Sequence, residues 1–515
     1  MPKLYWNKKV EHQTQKLNSS KKAYELQVLD LLENPLMANS DFNTDKSISR
    51  ISNNPKYEKI SNNWRNLLIW GENKSIMSSL SQKFLNKINL IYIDPPYATG
   101  SNFGSKTFIG ESKTYENKKA YSDTWEGGID EYVDFLYERI LLMKNLLSEN
   151  GSFYVHIDWH VSHYIKVILD EIFGKENFRN EIIWAYPAAS AKTRRFFIRS
   201  FDSILFYTKS NEYTFNDDPG IYMEYSDRVK FALKEDDKGM FYYRGGSHNG
   251  KKLSQKVYVT NKGIFPRDVW TDIPYIRANT LEYQAFSTQK PERLLKRIIL
   301  ASSNKDDIVA DFFCGTGTSL SVAEKLGRRW IGSDISKLSI NISRKRILDV
   351  WNSNDLIEWN KKYEKRAQPF IIMKNNEYVE SINRYKDFLI KNIKKQDIIS
   401  LIKDIKFVVK ISEQDSKITV DLINYIVPNL MLIKNAIKNK IELFSDWIES
   451  WSIDFTFQNQ SFTTTWISYR TLKNRKLILT SVPYNYEKKG RHKISIKVND
   501  ILGIETVQDY EVVIS

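Results

Sequence analysis

The sequence predicts an α/β protein built on a doubly wound parallel sheet, interrupted by an inserted segment and followed by a helical segment and a small β-sandwich. Three observations predict it. Apolar, β-branched runs such as "INLIYI" (88–93), "GSFYVHI" (151–157) and "DIVADFF" (307–313) suit strands covered on both faces. Amphipathic helical stretches separate them at the spacing of βαβ crossovers. Two of the runs stop abruptly, one in Asp94-Pro95-Pro96-Tyr97 and the other in Cys314-Gly315-Thr316-Gly317, and open α/β sheets bind ligands at the carboxyl ends of their strands.

Taken in order, residues 1–62 form a polar N-terminal extension with one helical stretch near 20–34 and a linker after it. α/β patterning begins with the strand "NLLIWGEN" (66–73) and the helix "KSIMSSLSQKF". "YVDFLYERILLMKNLL" is the amphipathic helix before the strand at 151. Between about 185 and 285 the periodicity breaks: "KTRRFFIRS" and "MFYYRGGSHNGKK" mix basic, aromatic and glycine residues, as expected of an inserted recognition module. "PERLLKRIILASS" restores a helix, "TSLSVAEKLG" follows the strand at 307, "RRWIGSDIS" adds a strand, and "KLSINISRKRILDVW" closes the α/β block near 350. Residues 351–440 are expected to be a helical region, with helices near 378–404 and 420–440. From 441 to 515 short alternating runs such as "KISIKV", with Ile494, Ile496 and Val498 on one face, predict a β-sandwich.

Composition narrows the function. Lys and Arg outnumber Asp and Glu 77 to 62, for a net charge of +15 and a pI near 9.3. That balance fits a partner made of phosphates, with a merely basic soluble protein as the lesser alternative. The single cysteine, Cys314, excludes a disulfide framework and a cysteine-rich zinc site. The N-terminus carries no signal-peptide core and no apolar run is long enough to cross a bilayer, so a cytoplasmic protein with no membrane partner is expected. His156, Asp158, His160 and His163 cluster in "HIDWHVSH", but two of them end a strand and no further ligands stand nearby, so no metal is expected.

The two loops carry the chemistry. Consecutive prolines make a rigid loop without ladder hydrogen bonds after the strand at 88–93, presenting Asp94 and the ring of Tyr97. In "DFFCGTGTS" (311–319) a strand runs through Gly315-Thr316-Gly317 into a helix, where backbone can approach a ligand closely. Asp334 ends the following strand and can accept hydrogen bonds from the two hydroxyls of a ribose. There is no further G-x-x-G and no G-K-[ST], which disfavours pyrophosphate. The pattern suits a nucleoside without a phosphate tail.

Together "LIYIDPPYATGSNF" and "DFFCGTGTS" resemble the catalytic and cofactor motifs of S-adenosylmethionine-dependent DNA amino-methyltransferases. The closer likeness is to the adenine-N6 group with permuted motif order, to which type III restriction–modification Mod subunits belong. The likeness covers about 63–350 and implies a Rossmann-like methyltransferase sheet whose segment 185–285 recognises the target. It implies that Asp94, Pro95, Pro96 and Tyr97 are catalytic, Asp94 and the Pro95 carbonyl holding the amine of a flipped base and Tyr97 stacking on it. It implies S-adenosylmethionine contacts from Asp311, Phe312, Phe313, Gly315, Thr316, Gly317, Thr318 and Asp334. Thr288, Gln289 and Lys290 of "STQKPERLLKRII" join them, as does Glu72, where the group more often has Asp. "FDSILFYTK" resembles a later strand of the domain, with Phe201 where His is common, and "YNYEKKGRHKISIKVNDILG" resembles the last hairpin of PKD-like, immunoglobulin-type modules. The implied partners are double-stranded DNA, a restriction or helicase subunit and a second copy of the chain. Cytosine-N4 methylation and a non-catalytic specificity subunit remain as alternatives.

Overall fold

The structure is a computed structural model that describes residue 6 and residues 26–37, 64–112, 114–187, 195–248, 251–375, 405–427, 433, 435–459 and 461–515. The strands in chain order are β1 (Leu26–Met37), β2 (Asn66–Trp70), β3 (Ile88–Ile93), β4 (Asn102–Phe108), β5 (Tyr115–Ser122), β6 (Leu147–Ile157), β7 (Phe178–Ala185) and β8 (Phe201–Thr208). Then follow β9 (Lys234–Asp236), β10 (Gly239–His248), β11 (Lys251–Tyr258), β12 (Val269–Trp270), β13 (Ile308–Asp311), β14 (Arg329–Asp334) and β15 (Phe370–Asn375). The last are β16 (Lys406–Gln414), β17 (Lys417–Ile426), β18 (Ile448–Asp454), β19 (Thr463–Tyr469), β20 (Tyr484–Asn485), β21 (Gly490–Asp500) and β22 (Glu505–Ile514). Six helices matter for the site: α1 (Asn73–Phe84), α2 (Gly128–Leu146), α3 (Ser162–Phe173), α4 (Glu292–Ser302), α5 (Thr318–Lys325) and α6 (Lys337–Leu348).

One sheet of 14 strands runs in the order β12-β7-β8-β6-β3-β13-β14-β2-β15-β1-β19-β18-β21-β22. From β6 to β15 neighbouring strands are parallel, which requires helical crossovers and buries both faces. α1, α2 and α3 cover one face through Ile76, Leu136, Ile140 and Ile165, while α4 and α5 pack on the other through Leu295, Ile298 and Leu320. β3 continues through α2 to β6 on one side, whereas β13 continues through α5 to β14 on the other. The chain therefore winds in opposite directions from adjacent strands, and their carboxyl ends splay apart into a crevice.

Two expectations are corrected. Over its described residues, 26–34, the helix expected near 20–34 is the strand β1, which lies between β15, antiparallel to it, and β19, parallel to it. Pairing on both edges overrides the helical composition. Pro35 is accommodated because the β19 register shifts between Leu32 and Leu36, beside Asn34 at φ 52°. The helix near 420–440 is replaced over its first part by β17, where Ile418, Val420 and Leu422 alternate inward, a period of two rather than 3.6. The helix expected at 378–404 lies outside the described residues.

Downstream of β15 the chain builds two β layers. β16, β17 and β20 form a three-stranded sheet whose Phe407, Ile418 and Val420 share a core with Trp451, Trp466 and Ile496 of the large sheet. The last strands thus extend the catalytic sheet through β1, and the second layer comes from the stretch expected to be helical. Within 185–285, β8 and β12 belong to the large sheet, while β9, β10 and β11 form a separate small one. Among the described residues no helix is long and apolar enough to cross a membrane.

Candidate active site

The crevice between β3 and β13 opens into a cleft of about 840 Å³. On its β3 side the loop 94–100 is tied down by a buried carboxylate, Asp123, which accepts hydrogen bonds from the backbone N–H groups of Tyr97 (3.2 Å), Ala98 (2.9 Å) and Thr99 (2.8 Å). The Thr99 hydroxyl and the Trp125 indole donate to the same group. Three consecutive amides converge on one anion in a concave turn, and Ala98 takes φ 56° to complete it. Tyr132 of α2 donates to the Pro96 carbonyl at 2.6 Å. The prolines, Asp123 and Tyr132 together fix Asp94 and Tyr97 to the end of β3.

Asp94 has a donor on each oxygen. The Tyr97 hydroxyl lies 2.5 Å from Oδ1 and the Lys290 ammonium 2.6 Å from Oδ2. The same ammonium stands 5.3 Å from the centre of the Tyr97 ring. Burial, then the charge of Asp94, pushes the Tyr97 phenol well above its ordinary range, so it stays a donor. Behind Tyr97 its ring stacks on that of fully buried His156, 22° from parallel. His156 Nε2 meets Asp202 Oδ2 at 3.0 Å, and its Nδ1 meets the Tyr92 hydroxyl at 2.9 Å. Tyr186 donates to the other Asp202 oxygen at 2.9 Å. Burial raises the Asp202 carboxyl, but the hydrogen bond and charge of His156, with Lys290 and Tyr186, outweigh it and hold the group below its usual range. An ionised Asp202 takes the Nε2 hydrogen bond, which orients the imidazole under Tyr97.

The β13 side is the second half-site. Phe313 N–H and Ser319 Oγ donate to Asp311 at 3.0 and 2.5 Å. Burial nonetheless lifts the Asp311 carboxyl to about 7, with smaller contributions from Asp94 and Asp334. Gly315 N–H and Ser336 N–H donate to the two oxygens of Asp334 at 2.9 and 2.7 Å, so the acid after β14 is held against the glycine loop. Asn73 of α1 donates to the Phe312 carbonyl and is itself held by Arg139 at 2.7 Å. Arg139 also pairs with Glu72.

All the residues expected from the sequence line this one cleft except Gly317. Gly317 is instead the N-cap of α5 at φ +71°, where an added Cβ would stand 2.8 Å from Ser343 Oγ. Its left-handed φ and its packing on Ser343 account for glycine at this position. Lys290, expected on the cofactor, sits on Asp94. Glu72 caps α1 through Lys74 and Ser75 N–H while pairing with Arg139. Gln289 braces its own turn, accepting from Gln284 N–H and donating to the Glu282 carbonyl. Thr318 Oγ1 accepts from Arg346 at 2.8 Å. Cys314 is buried, and burial pushes its thiol well up, as befits a space filler rather than a nucleophile. Among the described residues no group of His, Cys, Asp or Glu is arranged to hold a metal.

Sequence reasoning missed Asp123, Asn73, Tyr132, Arg139, His156 as a ring support, and Asp202. One had a legible signal. Arg139 falls on the apolar stripe of α2 with Tyr132, Leu136 and Ile140, and a charge on a buried stripe demands partners. Asp123 had none, since nothing local marks an acid 26 residues downstream as the anchor of Tyr97.

Residues 88–345 match the family model described as DNA methylase, of the N6/N4 amino group. The match spans half of the chain. The chain belongs to this family. Among its relatives is the Type II methyltransferase M.EcaI of Enterobacter cloacae, 30% identical over 330 residues that cover 55% of this chain and 69% of that protein. The DNA adenine methyltransferase YhdJ of Escherichia coli is 31% identical over 51% of this chain and 76% of its own length. The StyLTI Mod subunit of Salmonella typhimurium, a type III restriction–modification enzyme, is 23% identical over 50% of this chain and 49% of its own length. The cofactor of this DNA methyltransferase family is S-adenosylmethionine, and the cleft fits it. Glu72, Asp311 and Asp334 line the cleft with carboxyl oxygens, and Phe312 and Phe313 line it with apolar rings.

Proposed function

We propose that this chain methylates the N6 amine of an adenine flipped out of duplex DNA at a defined sequence, as the modification component of a restriction–modification or related defence system. One observation carries the reading: Asp94 and Tyr97 stand on a rigid loop in the same cleft as the Asp311–Asp334 half-site. S-adenosylmethionine supplies an activated methyl group, so the protein's task is to position and desolvate the acceptor.

The exocyclic amine is a weak nucleophile because its lone pair is delocalised into the ring. Asp94 and the Pro95 carbonyl accept its two N–H bonds, which favours tetrahedral geometry at nitrogen and restores the lone pair. Tyr97, backed by His156, stacks on the base and offsets part of the few kcal/mol that extrusion from the duplex costs. Asp94 then stabilises the positive charge that appears on nitrogen and takes up the proton. Thr288, Asp311, Phe312, Phe313, Gly315, Thr316 and Thr318, with Asp334 and Glu72, hold the cofactor. The small sheet β9–β11, with exposed Lys234, Lys238 and Arg244, supplies phosphate and base contacts. Likeness to a Mod subunit supports a restriction subunit as partner; a second copy of the chain is the other partner proposed.

The test is nucleoside mass spectrometry of DNA from cells expressing the protein beside an Asp94→Ala variant. N6-methyladenine that vanishes in the variant supports the reading. N4-methylcytosine instead would replace adenine with cytosine as the target. No modified base from a protein that binds the cofactor would point to a specificity subunit.

A further inference from the structure

We propose that Phe197 is a wedge that enters the base stack of the duplex where the target adenine leaves it, and so holds the base extruded. The inference rests on the methyltransferase reading and goes beyond it by assigning the residue that fills the vacated stack. A flipped base leaves a gap whose neighbours have lost their stacking, and an apolar side chain inserted there offsets part of that loss. Tyr97, inside the cleft, acts on the base after it has left. The stack it came from needs a group outside the cleft.

The segment Arg195-Phe196-Phe197-Ile198-Arg199-Ser200 carries such a group at the rim of the cleft. Phe197 is 98% exposed, Phe196 57% and Ile198 47%. Phe201, which opens β8, and Trp159, just past the end of β6, add two more exposed rings. Single exposed apolar residues are ordinary, but several side by side mark a contact surface. The foot of the loop is anchored on the cleft. Tyr186 N–H donates to the Ser200 carbonyl at 2.9 Å, and Asp158, Tyr186, Pro187 and Asp202 all line the cavity. The Arg199 guanidinium lies 3.8 Å from the centre of the Trp159 ring and 5.2 Å from that of Phe196, which ties the loop to the end of β6. The foot is held, and Phe197 stands out from it with almost all of its surface in solvent.

Charge selects the occupant. Arg195 and Arg199 flank the apolar residues, both are exposed, and no carboxylate lies between 195 and 201. An apolar tip between two guanidinium groups suits a base stack between two phosphate backbones. An apolar protein surface would leave both guanidinium groups facing no anion. Continuity with the cleft gives the same answer, because a duplex whose adenine reaches Asp94 has to lie across this rim. Phe197 is therefore a positioning residue: it acts on the reaction through the base it keeps out of the stack.

The test uses the full chain and a duplex carrying the site found methylated in expressing cells. With 2-aminopurine in place of the target adenine, fluorescence rises as the base leaves the stack, and Phe197→Ala should remove most of that rise. At saturating protein the variant should methylate the unsubstituted duplex about tenfold more slowly in a single turnover. On a duplex with a mismatched base opposite the target, where extrusion costs less, its rate should come within about threefold of the unmodified protein. Phe197→Leu, which keeps an apolar tip, should fall between the two on the matched duplex. A thermal melt, and S-adenosylhomocysteine affinity within about twofold, check that the fold and the cofactor half-site are intact. Equal loss on matched and mismatched duplexes would overturn the wedge, because the residue would then serve the chemistry and not the extrusion. Unchanged fluorescence and rate would also overturn it and would assign the patch to a protein partner. If the unmodified protein methylates no DNA, the methyltransferase reading itself fails and the wedge falls with it.

Discussion

Asp94 and Asp311 are both carboxylates at strand ends in one cleft, and their surroundings divide their work. Asp94 is partly open and receives a phenol and an ammonium, whereas Asp311 is buried and lifted to about 7. Asp94→Ala should lower kcat by about a thousandfold and leave a folded protein, as checked by single-turnover assays and a thermal melt. For Asp311 the sign follows from linkage. Its folded pKa lies above the ordinary carboxylate value, so the folded protein binds more protons between about pH 4 and pH 7, and stability from this group falls as pH rises through that window. A cationic cofactor favours the ionised form, so affinity should rise with pH and level off above about 7, with a proton released on binding. Titration calorimetry in buffers of different ionisation enthalpy would show this, and Asp311→Asn should remove it. Proton uptake on binding would contradict the assignment.

At the scale of elements, local backbone geometry sets how the half-sites face each other. The turn from β13 into α5 brings Gly317 against Ser343 of α6, whose hydroxyl donates to the Gly315 carbonyl at 2.9 Å. Gly317→Ala meets both a left-handed φ and a filled neighbour, and a cost of about 1–3 kcal/mol in unfolding free energy is expected. Because the strain falls on the loop that carries Gly315, S-adenosylhomocysteine binding should weaken with it. Denaturant unfolding and calorimetry on the same variant would separate the two effects. The sheet β9–β11 makes a contrasting case: its three strands pair only among themselves and stand apart from the large sheet. Replacing Lys234, Lys238 and Arg244 with Gln should weaken duplex binding and flatten its salt dependence by nearly one unit of slope for each phosphate no longer neutralised. Cofactor affinity should stay the same. Salt-independent duplex binding by the unmodified protein would argue against the DNA assignment of this surface.

For the molecule as a whole, the large sheet is closed by strands far apart in sequence. Asp30 of β1 is buried, pairs with Arg344 of α6 at 2.8 Å and with Lys497 of β21 at 3.4 Å, and accepts from Thr464 of β19 at 2.7 Å. One carboxylate thus holds the N-terminal strand, a cofactor-side helix and the C-terminal strands together. Removing it strands two buried cations, and Asp30→Ala should cost about 3–5 kcal/mol, measured by denaturant unfolding. Deleting residues before 64 would cut the sheet between β15 and β19. The expected product is insoluble or unable to bind S-adenosylhomocysteine, even though no catalytic residue is removed; a soluble, binding-competent product would show that the parts fold independently.

What the sequence by itself determined are the features with a local physical cause. Buried β-branched runs mark β3, β6 and β13, rigid or glycine-rich loops mark their ends, and the placing of Asp94, Tyr97, Asp311 and Asp334 at those ends brings them into one cleft. What only the tertiary structure decided depends on pairing at a distance. β1 reads as helix until β15 and β19 claim both its edges, and β17 sits in Lys-, Asn- and Ile-rich sequence whose period of two is easily missed. The placing of Lys290 on Asp94, of Asp123 under the catalytic loop and of Asp30 in a three-way ion pair has no local signature. A buried charge reveals its role through its partner, and the partners across these contacts lie from 24 to 467 residues away along the chain.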